Sequence, residues 1–216
     1  MKTRKIKNMS TITQTAQSQG LISPEQAVEL LKEGNERFVQ KKQLNRDLLQ
    51  QVEETAGGQY PFAAVVSCID SRIPTEVVFD QGIGDIFNAR VAGNIVNEDI
   101  LGSLEFACKL AGAKAIIVMG HTSCGAVKGA CDDAKLGNLT QMLGKIKPAV
   151  EQTTTAEGED RNSGNIEFVN NVASKNVELT IENITSQSAV LKEMADNGEI
   201  TIVGAMYDVK TGLITF

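Results

Sequence analysis

Hydrophobic residues along this chain follow two different periods. Continuous apolar runs of strand length occupy 62–67 and 115–119, a pattern typical of strands buried on both faces. Between them, apolar residues at Ile100, Leu101 and Leu104 recur at helical spacing, which predicts a helix over 97–110. Strands that alternate with helices indicate βαβ units and a parallel sheet.

The same reasoning predicts the other elements. Ser23 followed by Pro24 and Gln26 is a helix N-terminus, and the helix runs to about Lys42. We expect a short helix over 73–80, a strand over 85–90, a turn at 92–94, a helix that begins at Ser123 or Cys124, a polar loop over 152–165, helical structure over 166–197 with a break near 184–186, and two closing strands at 199–207 and 213–216.

The predicted fold class is therefore α/β, with a mainly parallel central β-sheet flanked by helices. No Pro-, Gly- or Ser-rich linker divides the chain, so residues 23–216 are expected to form a single domain. Residues 1–22 are basic and then polar, without an apolar period of their own. They are expected to form a flexible arm.

Composition excludes several classes of protein. Apolar residues make up 42% and charged residues 22% of the 216 residues, which argues against a disordered or collagen-like chain. No apolar run approaches the ~20 residues of a membrane span. The net charge of −6 argues against nucleic acid and anionic membranes as partners. We expect a cytoplasmic protein, with a periplasmic location left open in case a signal peptide was removed.

Candidate chemistry follows two of the buried strands. Cys68 stands directly after the first strand, and His121 and Cys124 stand after the strand at 115–119. Parallel strands end at the same edge of a sheet, so these three side chains converge if the strands are neighbours. Two thiolates and one imidazole suit Zn²⁺, and a set of three leaves the fourth position open, as in catalytic sites. One alternative is that the cysteines are buried structural residues. Another is a nucleotide-binding loop, but the Gly-Lys-Ser/Thr ending of a phosphate loop is missing.

Asp70 and Arg72 flank this cluster. Two residues apart in an extended turn, their side chains can face the same way and pair. Arg72 would then keep the carboxylate ionised and oriented beside the metal. The alternative is a surface ion pair of little consequence.

Cys-x-Asp-x-Arg followed about fifty residues later by His-x-x-Cys-Gly resembles the β-class carbonic anhydrases. The resemblance covers the chain from about Ser23 to Tyr207. It includes three further motifs, which are Gly58-Gln59-Tyr60-Pro61, Arg90-Val91-Ala92-Gly93-Asn94 and Gly102-Ser103-Leu104-Glu105-Phe106.

This resemblance implies reversible hydration of CO₂ to bicarbonate and a proton. It implies one zinc ion per subunit on Cys68, His121 and Cys124, with a zinc-bound hydroxide oriented by an Asp70–Arg72 catalytic pair. It also implies a homodimer or a dimer of dimers, in which the helical N-terminal arm packs on the partner subunit. The residues that it assigns to the substrate pocket, formed against the dimer partner, are Gln59, Phe87, Val91, Phe106 and Gly125.

One position distinguishes subtypes within that family. Members gated by bicarbonate carry a Trp three residues before the first cysteine, and this chain has Val65 there and no Trp at all. The resemblance therefore implies the ungated, plant-like subtype, although Arg90 occurs in both. Movement of Asp70 onto zinc at low pH is left open.

Two other functions are compatible with the same ligand set. A carbonyl sulfide or carbon disulfide hydrolase on this scaffold would use the same residues. A non-catalytic zinc-binding protein would not need Asp70 and Arg72 beside the metal. A redox role for the cysteines is disfavoured because Cys68 and Cys124 do not form a Cys-x-x-Cys pair. Cys108 and Cys131 are interpreted as buried structural thiols.

Overall fold

The computed structural model describes residues 13–216, and one five-stranded sheet lies at its centre. The strands are β1 (Ala63–Ser67), β2 (Ile86–Arg90), β3 (Ala115–His121), β4 (Thr201–Tyr207) and β5 (Ile214–Thr215). Their order across the sheet is β2-β1-β3-β4-β5. The first four strands run parallel, and β5 is antiparallel to β4. The predicted α/β fold with a mainly parallel sheet is confirmed.

The two strands with continuous apolar sequences occupy the interior of the sheet. Every residue of β1 and of β3 is buried, because each strand is hydrogen-bonded on both sides and covered on both faces. The edge strand β2 is only partly buried instead, with Ile86 buried and Phe87 and Ala89 half-buried. Its sequence is correspondingly mixed, with Asn88 and Arg90 at the exposed positions.

Helices cover both faces of the sheet. They are α1 (Ala16–Gly20), α2 (Pro24–Val39), α3 (Leu48–Thr55), α4 (Thr75–Val78), α5 (Glu98–Glu105), α6 (Gly125–Cys131), α7 (Gly137–Gly144), α8 (Lys147–Gln152), α9 (Ile166–Gln187) and α10 (Ala189–Asp196). Among residues 13–216, none of these helices combines the length and the apolar character that crossing a membrane requires.

Two apolar cores lie against the sheet, and α9 contributes to both. The larger core contains residues of α2, α6, α7 and α8 together with Cys68 and Cys124. The smaller one contains residues of α5 and α10. Phe168 and Val172 of α9 belong to the first core, whereas Val177 and Ile184 belong to the second. This long helix therefore packs beside the candidate ligands as well as against the far side of the molecule.

Two helical predictions need correction. The helix expected over 97–110 is α5 up to Glu105, followed by one π-helical turn over Phe106–Leu110, in which the Ala111 N–H donates to the Phe106 carbonyl. The break expected near 184–186 lies at Ser188 instead. The Ser188 hydroxyl accepts a hydrogen bond from the Leu191 N–H and so begins a new helix, because serine competes well as an N-cap.

The beginning of the described chain is tied to the domain. Residues 1–12 of the predicted flexible arm lie outside the described residues. Over 13–22 the chain packs on the domain instead, since the buried Gln19 side chain donates hydrogen bonds of 2.7 Å to the Pro61 carbonyl and 2.8 Å to the Ala111 carbonyl. The polar sequence over 13–22 does not predict this attachment, because it is made by hydrogen bonds to backbone groups that are distant along the chain. Packing of the arm on a partner subunit stays a prediction.

Candidate metal centre and active site

The three candidate ligands converge at the carboxyl ends of two neighbouring strands. Ser67 of β1 is paired with Met119 of β3, so Cys68 and His121 leave the sheet side by side. Cys124 follows as the N-cap residue of α6. The two sulfur atoms and a ring nitrogen of His121 all lie within 4.8 Å of one another. The predicted convergence of these side chains is confirmed.

The chemistry of this group fits zinc. His121 is fully buried, and its Nδ1 lies 3.0 Å from the Thr122 carbonyl oxygen, to which a proton on Nδ1 can donate. That tautomer leaves Nε2 with a free lone pair, and within the described part of the chain Nε2 is buried without a hydrogen-bond partner. A buried polar atom without a partner is costly, so its lone pair is best explained as a metal ligand. Two sulfurs and one imidazole nitrogen are a donor set that zinc prefers.

The two sulfurs differ in acidity. A hydrogen bond with Cys124, helped by one from the Gly93 N–H, lowers the pKa of the Cys68 thiol below its usual value. The same hydrogen bond to Cys68, together with burial, raises the pKa of the Cys124 thiol. Cys68 is therefore the sulfur of this pair that releases its proton more readily.

Asp70 and Arg72 form a bidentate pair next to the three ligands. Arg72 Nε lies 2.9 Å from Asp70 Oδ1, Nη2 lies 2.7 Å from Oδ2, and the Arg72 N–H also donates to Oδ1. These hydrogen bonds hold the pKa of Asp70 well below its usual range, so the group is a carboxylate that only accepts hydrogen bonds. Asp70 Oδ2 is 3.8 Å from Nε2 of His121. An oriented anion thus borders the ligand group.

Arg90 fixes the turn that carries Cys68 and Asp70. Its Nε donates to the Cys68 carbonyl at 2.9 Å, and its Nη2 donates to the Asp70 carbonyl at 2.6 Å. Sequence reasoning noticed Arg90 only as a family residue and did not predict this contact. Its position at the end of β2, beside β1, could have suggested it.

The second ligand turn is held by a helix distant in sequence. Ser123, between His121 and Cys124, has a φ of 55°, and its N–H donates to Asn170 Oδ1 of α9 at 2.8 Å. The Thr122 hydroxyl accepts from the Val209 N–H at 3.1 Å. Sequence reasoning missed Asn170. The signal that could have found it was an asparagine within a predicted helix, because asparagine has a low intrinsic helix propensity.

The residues predicted to line the substrate pocket do not all lie near the ligands. Val91 packs against the core that contains Cys68 and Cys124. Gly125 begins α6 beside Cys124, and a methyl group there would meet nothing within 4 Å. Gln59 is exposed on the loop before β1.

Phe87 and Phe106, the two aromatic residues of the predicted substrate pocket, lie at a different site from the ligands. Their rings contact each other edge to face, with centroids 6.1 Å apart. They line a cavity of about 490 Å³ beside the edge strand β2, which we call the aromatic cavity; its other lining residues are Ala64, Asn88, Ala89, Glu98, Asp99, Gly102, Ser103, Leu104 and Ala107. None of the three candidate ligands is among these residues. Within one chain, the pocket aromatics and the ligands therefore form separate sites.

The two remaining cysteines are not equivalent. Cys108 is buried, as predicted, and burial raises its pKa to about 12. Cys131 is half-buried, so its interpretation as a buried thiol was wrong. It is the last residue of α6, where the helix ends toward the surface.

Comparisons with known proteins agree with this geometry. A model of the carbonic anhydrase family matches residues 63–214. Carbonic anhydrase 2 of Mycobacterium tuberculosis is 35% identical over 193 residues, covering 88% of this chain and 91% of its own length. The β-carbonic anhydrase CafA of Aspergillus fumigatus is 27% identical, with a TM-score of 0.68 and 88% of each chain covered.

This chain belongs to the β class of the carbonic anhydrase family. It is a zinc-dependent enzyme of reversible CO₂ hydration. A tetrameric β-carbonic anhydrase from Sordaria macrospora shares the fold at a TM-score of 0.65 and 24% identity, covering 77% of this chain and 88% of that one. The family model spans β1 to β5 and so includes every element that positions the metal group.

Proposed function

We propose that this β-carbonic anhydrase hydrates CO₂ with Cys68, His121 and Cys124 as the ligands of one zinc ion per subunit and with Asp70 and Arg72 as its catalytic pair. The observation that carries this assignment is the buried His121 side chain, which has a ring nitrogen within 4.8 Å of two sulfurs and whose Nε2 has no hydrogen-bond partner among residues 13–216. Three protein ligands leave a fourth tetrahedral position for the chemistry.

When bound, zinc supplies a Lewis acid that makes a water molecule acidic enough to lose a proton near neutral pH. Asp70 orients the oxygen atom that attacks CO₂. Its carboxylate is ionised and held on two sides by Arg72, so it accepts a hydrogen bond from the attacking oxygen and turns a lone pair of that oxygen toward CO₂. Arg72 keeps Asp70 from taking up the proton itself.

The position of Asp70 supports the ungated subtype. Both of its oxygens are engaged by Arg72, and the group of mutually close ligand atoms contains Cys68, His121 and Cys124 without it. With zinc held by these three residues, Asp70 would leave the metal accessible to water and substrate. The buried Val65 side chain in β1, where gated relatives carry Trp, agrees with this subtype.

The substrate pocket requires a second copy of the chain in this proposal. Phe106 is half exposed, at 50%, although it is a large aromatic residue. It lines the aromatic cavity with Phe87, away from the ligands of its own chain. In a homodimer, or a dimer of dimers, Gln59, Phe87 and Phe106 of one subunit would complete the site whose zinc ligands, Val91 and Gly125 belong to the other. Gln59 would hydrogen-bond the forming bicarbonate while the aromatic rings exclude water.

A reducing compartment such as the cytoplasm suits this protein. All four cysteines are free, and two of them must remain thiolates to bind zinc. We propose that the enzyme works there on dissolved CO₂ and bicarbonate.

Stopped-flow hydration of CO₂, measured together with zinc content, tests the function. We expect about one zinc per subunit and rapid CO₂ hydration in the wild type. The same preparation is assayed with carbonyl sulfide and carbon disulfide. Faster turnover of either would move the substrate assignment to that compound, and zinc without any of these activities would leave only a metal-binding protein.

A further inference from the structure

A backbone N–H group points at one of the candidate ligand sulfurs. The chain turns sharply at Ala92–Asn94 after β2, and the Gly93 N–H donates to Cys68 Sγ at 3.4 Å in a buried setting. A hydrogen bond to a thiolate withdraws electron density from the sulfur and fixes its direction, both of which affect how it binds a metal. The position of Gly93 therefore bears on the metal group even though Gly93 is no ligand.

Only glycine fits this turn. Gly93 has a φ of 75°, and a Cβ there would lie 2.5 Å from Ile146 Cδ1. The backbone consequently lies close to Ile146, the residue that precedes α8, and a glycine has no side chain whose contacts could hold residue 93 in place. Something else must set the direction of its peptide groups.

Asn176 of α9 supplies that support. Its side chain is only 3% exposed, and its Nδ2 donates to the Gly93 carbonyl at 2.7 Å. Its neighbours on this helix face, Val172, Ala173 and Val177, are buried apolar residues. A buried amide is costly among such residues unless it is hydrogen-bonded, so this asparagine has a specific partner in the Gly93 carbonyl.

We propose that Asn176 is a positioning residue for the metal centre, which acts by holding Gly93 so that its N–H donates to the Cys68 sulfur. This inference rests on the proposed assignment of Cys68 as a zinc ligand. Two thiolates place two negative charges on the metal, and the Gly93 N–H offsets part of the charge of one of them. Asn176 thereby links α9 to the strength and orientation of a ligand that it does not touch.

The test compares two buried asparagines. Asn176→Leu removes the amide at nearly constant volume. Asn35→Leu is the matched control, because Asn35 is 2% exposed and its side chain bonds the backbone of Val78, Gly212 and Ile214 rather than that of the Gly93 turn. Each purified variant is measured for zinc affinity by chelator competition. After substitution with Co²⁺, each is also measured for the absorption band of sulfur-to-cobalt charge transfer.

We expect Asn176→Leu to weaken zinc binding by about 10- to 100-fold, the range found when supporting partners of metal ligands are lost. Its cobalt charge-transfer band should shift, whereas Asn35→Leu should keep the wild-type affinity and band even if its thermal stability falls. Should Asn176→Leu not fold, Asn176→Ser serves instead, since a hydroxyl on a shorter side chain is polar but does not reach the Gly93 carbonyl.

Wild-type zinc affinity and an unshifted cobalt band in the Asn176 variant would overturn the inference. Equal losses in the Asn176 and Asn35 variants would also overturn it, because the effect would then reflect general destabilisation. Cys68→Ser tests the ligand assignment of Cys68 separately from the positioning role of Asn176. If Cys68→Ser binds zinc as tightly as the wild type, the ligand assignment itself fails; if it does not, a silent Asn176 variant refutes only the positioning role.

Discussion

The metal group and the aromatic cavity differ in how complete they are within one chain. Cys68, His121 and Cys124 are buried and held by contacts from β2, α9 and the segment after β4. Phe106 of the aromatic cavity is half exposed and pairs only with Phe87 among the aromatic rings of the described residues. The chemistry-bearing half of the proposed site is thus preorganised by the fold of one chain, while its substrate-facing half is partly exposed, as our proposal that a second copy completes it requires.

The largest effect is expected from the ligands themselves. Cys124→Ser and His121→Ala should each lower zinc content from about one per subunit to near zero and reduce CO₂ hydration to the uncatalysed rate, because three protein ligands are the minimum of a catalytic zinc site. Metal analysis of purified protein measures this. Cys108→Ser is the matched control, since Cys108 is equally buried but lies in the other core. Zinc retained in all three variants would refute the ligand assignment.

Asp70→Asn should separate metal binding from turnover. The amide keeps the size of the side chain but loses the anion that Arg72 orients, so we expect normal zinc content with kcat lower by about 10²-fold, the size of effect that a misoriented reacting group produces. Stopped-flow assays of CO₂ hydration and metal analysis of the same sample measure kcat and zinc content together. A variant with wild-type kcat would show that Asp70 has no part in the reaction.

Mixed dimers test whether the aromatic cavity serves the partner's site. Phe106→Ala alone should lower kcat/KM about tenfold, or about 1.4 kcal/mol in the transition state, with zinc retained. Co-expressed in equal amounts with Asp70→Asn, it should recover about one quarter of wild-type activity per subunit, because random pairing makes half of the dimers mixed and each mixed dimer has one site with both parts intact.

The alternative outcome of that mixture is equally specific. If every site used the Phe106 of its own chain, co-expression would give only the average of the two separate variants. Differently tagged subunits allow the mixed species to be purified and its oligomeric state to be measured by sedimentation.

A smaller effect is expected from buffer. His121 is the only histidine in the chain, and it is assigned to the metal, so no free imidazole can carry the released proton to solvent. We expect kcat to rise several-fold as imidazole or phosphate buffer is increased at constant pH and ionic strength. A kcat that is independent of buffer concentration would show that another group of the protein moves the proton.

Local signals were enough to find much of the fold. Continuous apolar runs located β1 and β3, since a strand covered on both faces has no polar side to alternate. The capping box at Ser23 located the start of α2. Predictions failed where contacts between distant residues set the local structure. The helix break lies at Ser188, whose hydroxyl caps α10 and also donates to Glu105. The segment before α2 is bound to the domain by Gln19.

The amino-acid sequence by itself determined the donor atoms of this protein and their order: two sulfurs, one imidazole and a carboxylate–guanidinium pair, each at or shortly after the end of a buried strand. Those features are local, because residue type and the two-residue spacing of Asp70 and Arg72 suffice to predict the pairing seen in the structure. The tertiary structure alone decided which groups support them. Arg90 and Asn170 reach the ligand turns from β2 and α9, and Asn176 of α9 reaches the Gly93 turn that bonds Cys68. Hydrogen bonds between residues 20 to 83 positions apart leave no periodic trace along the chain.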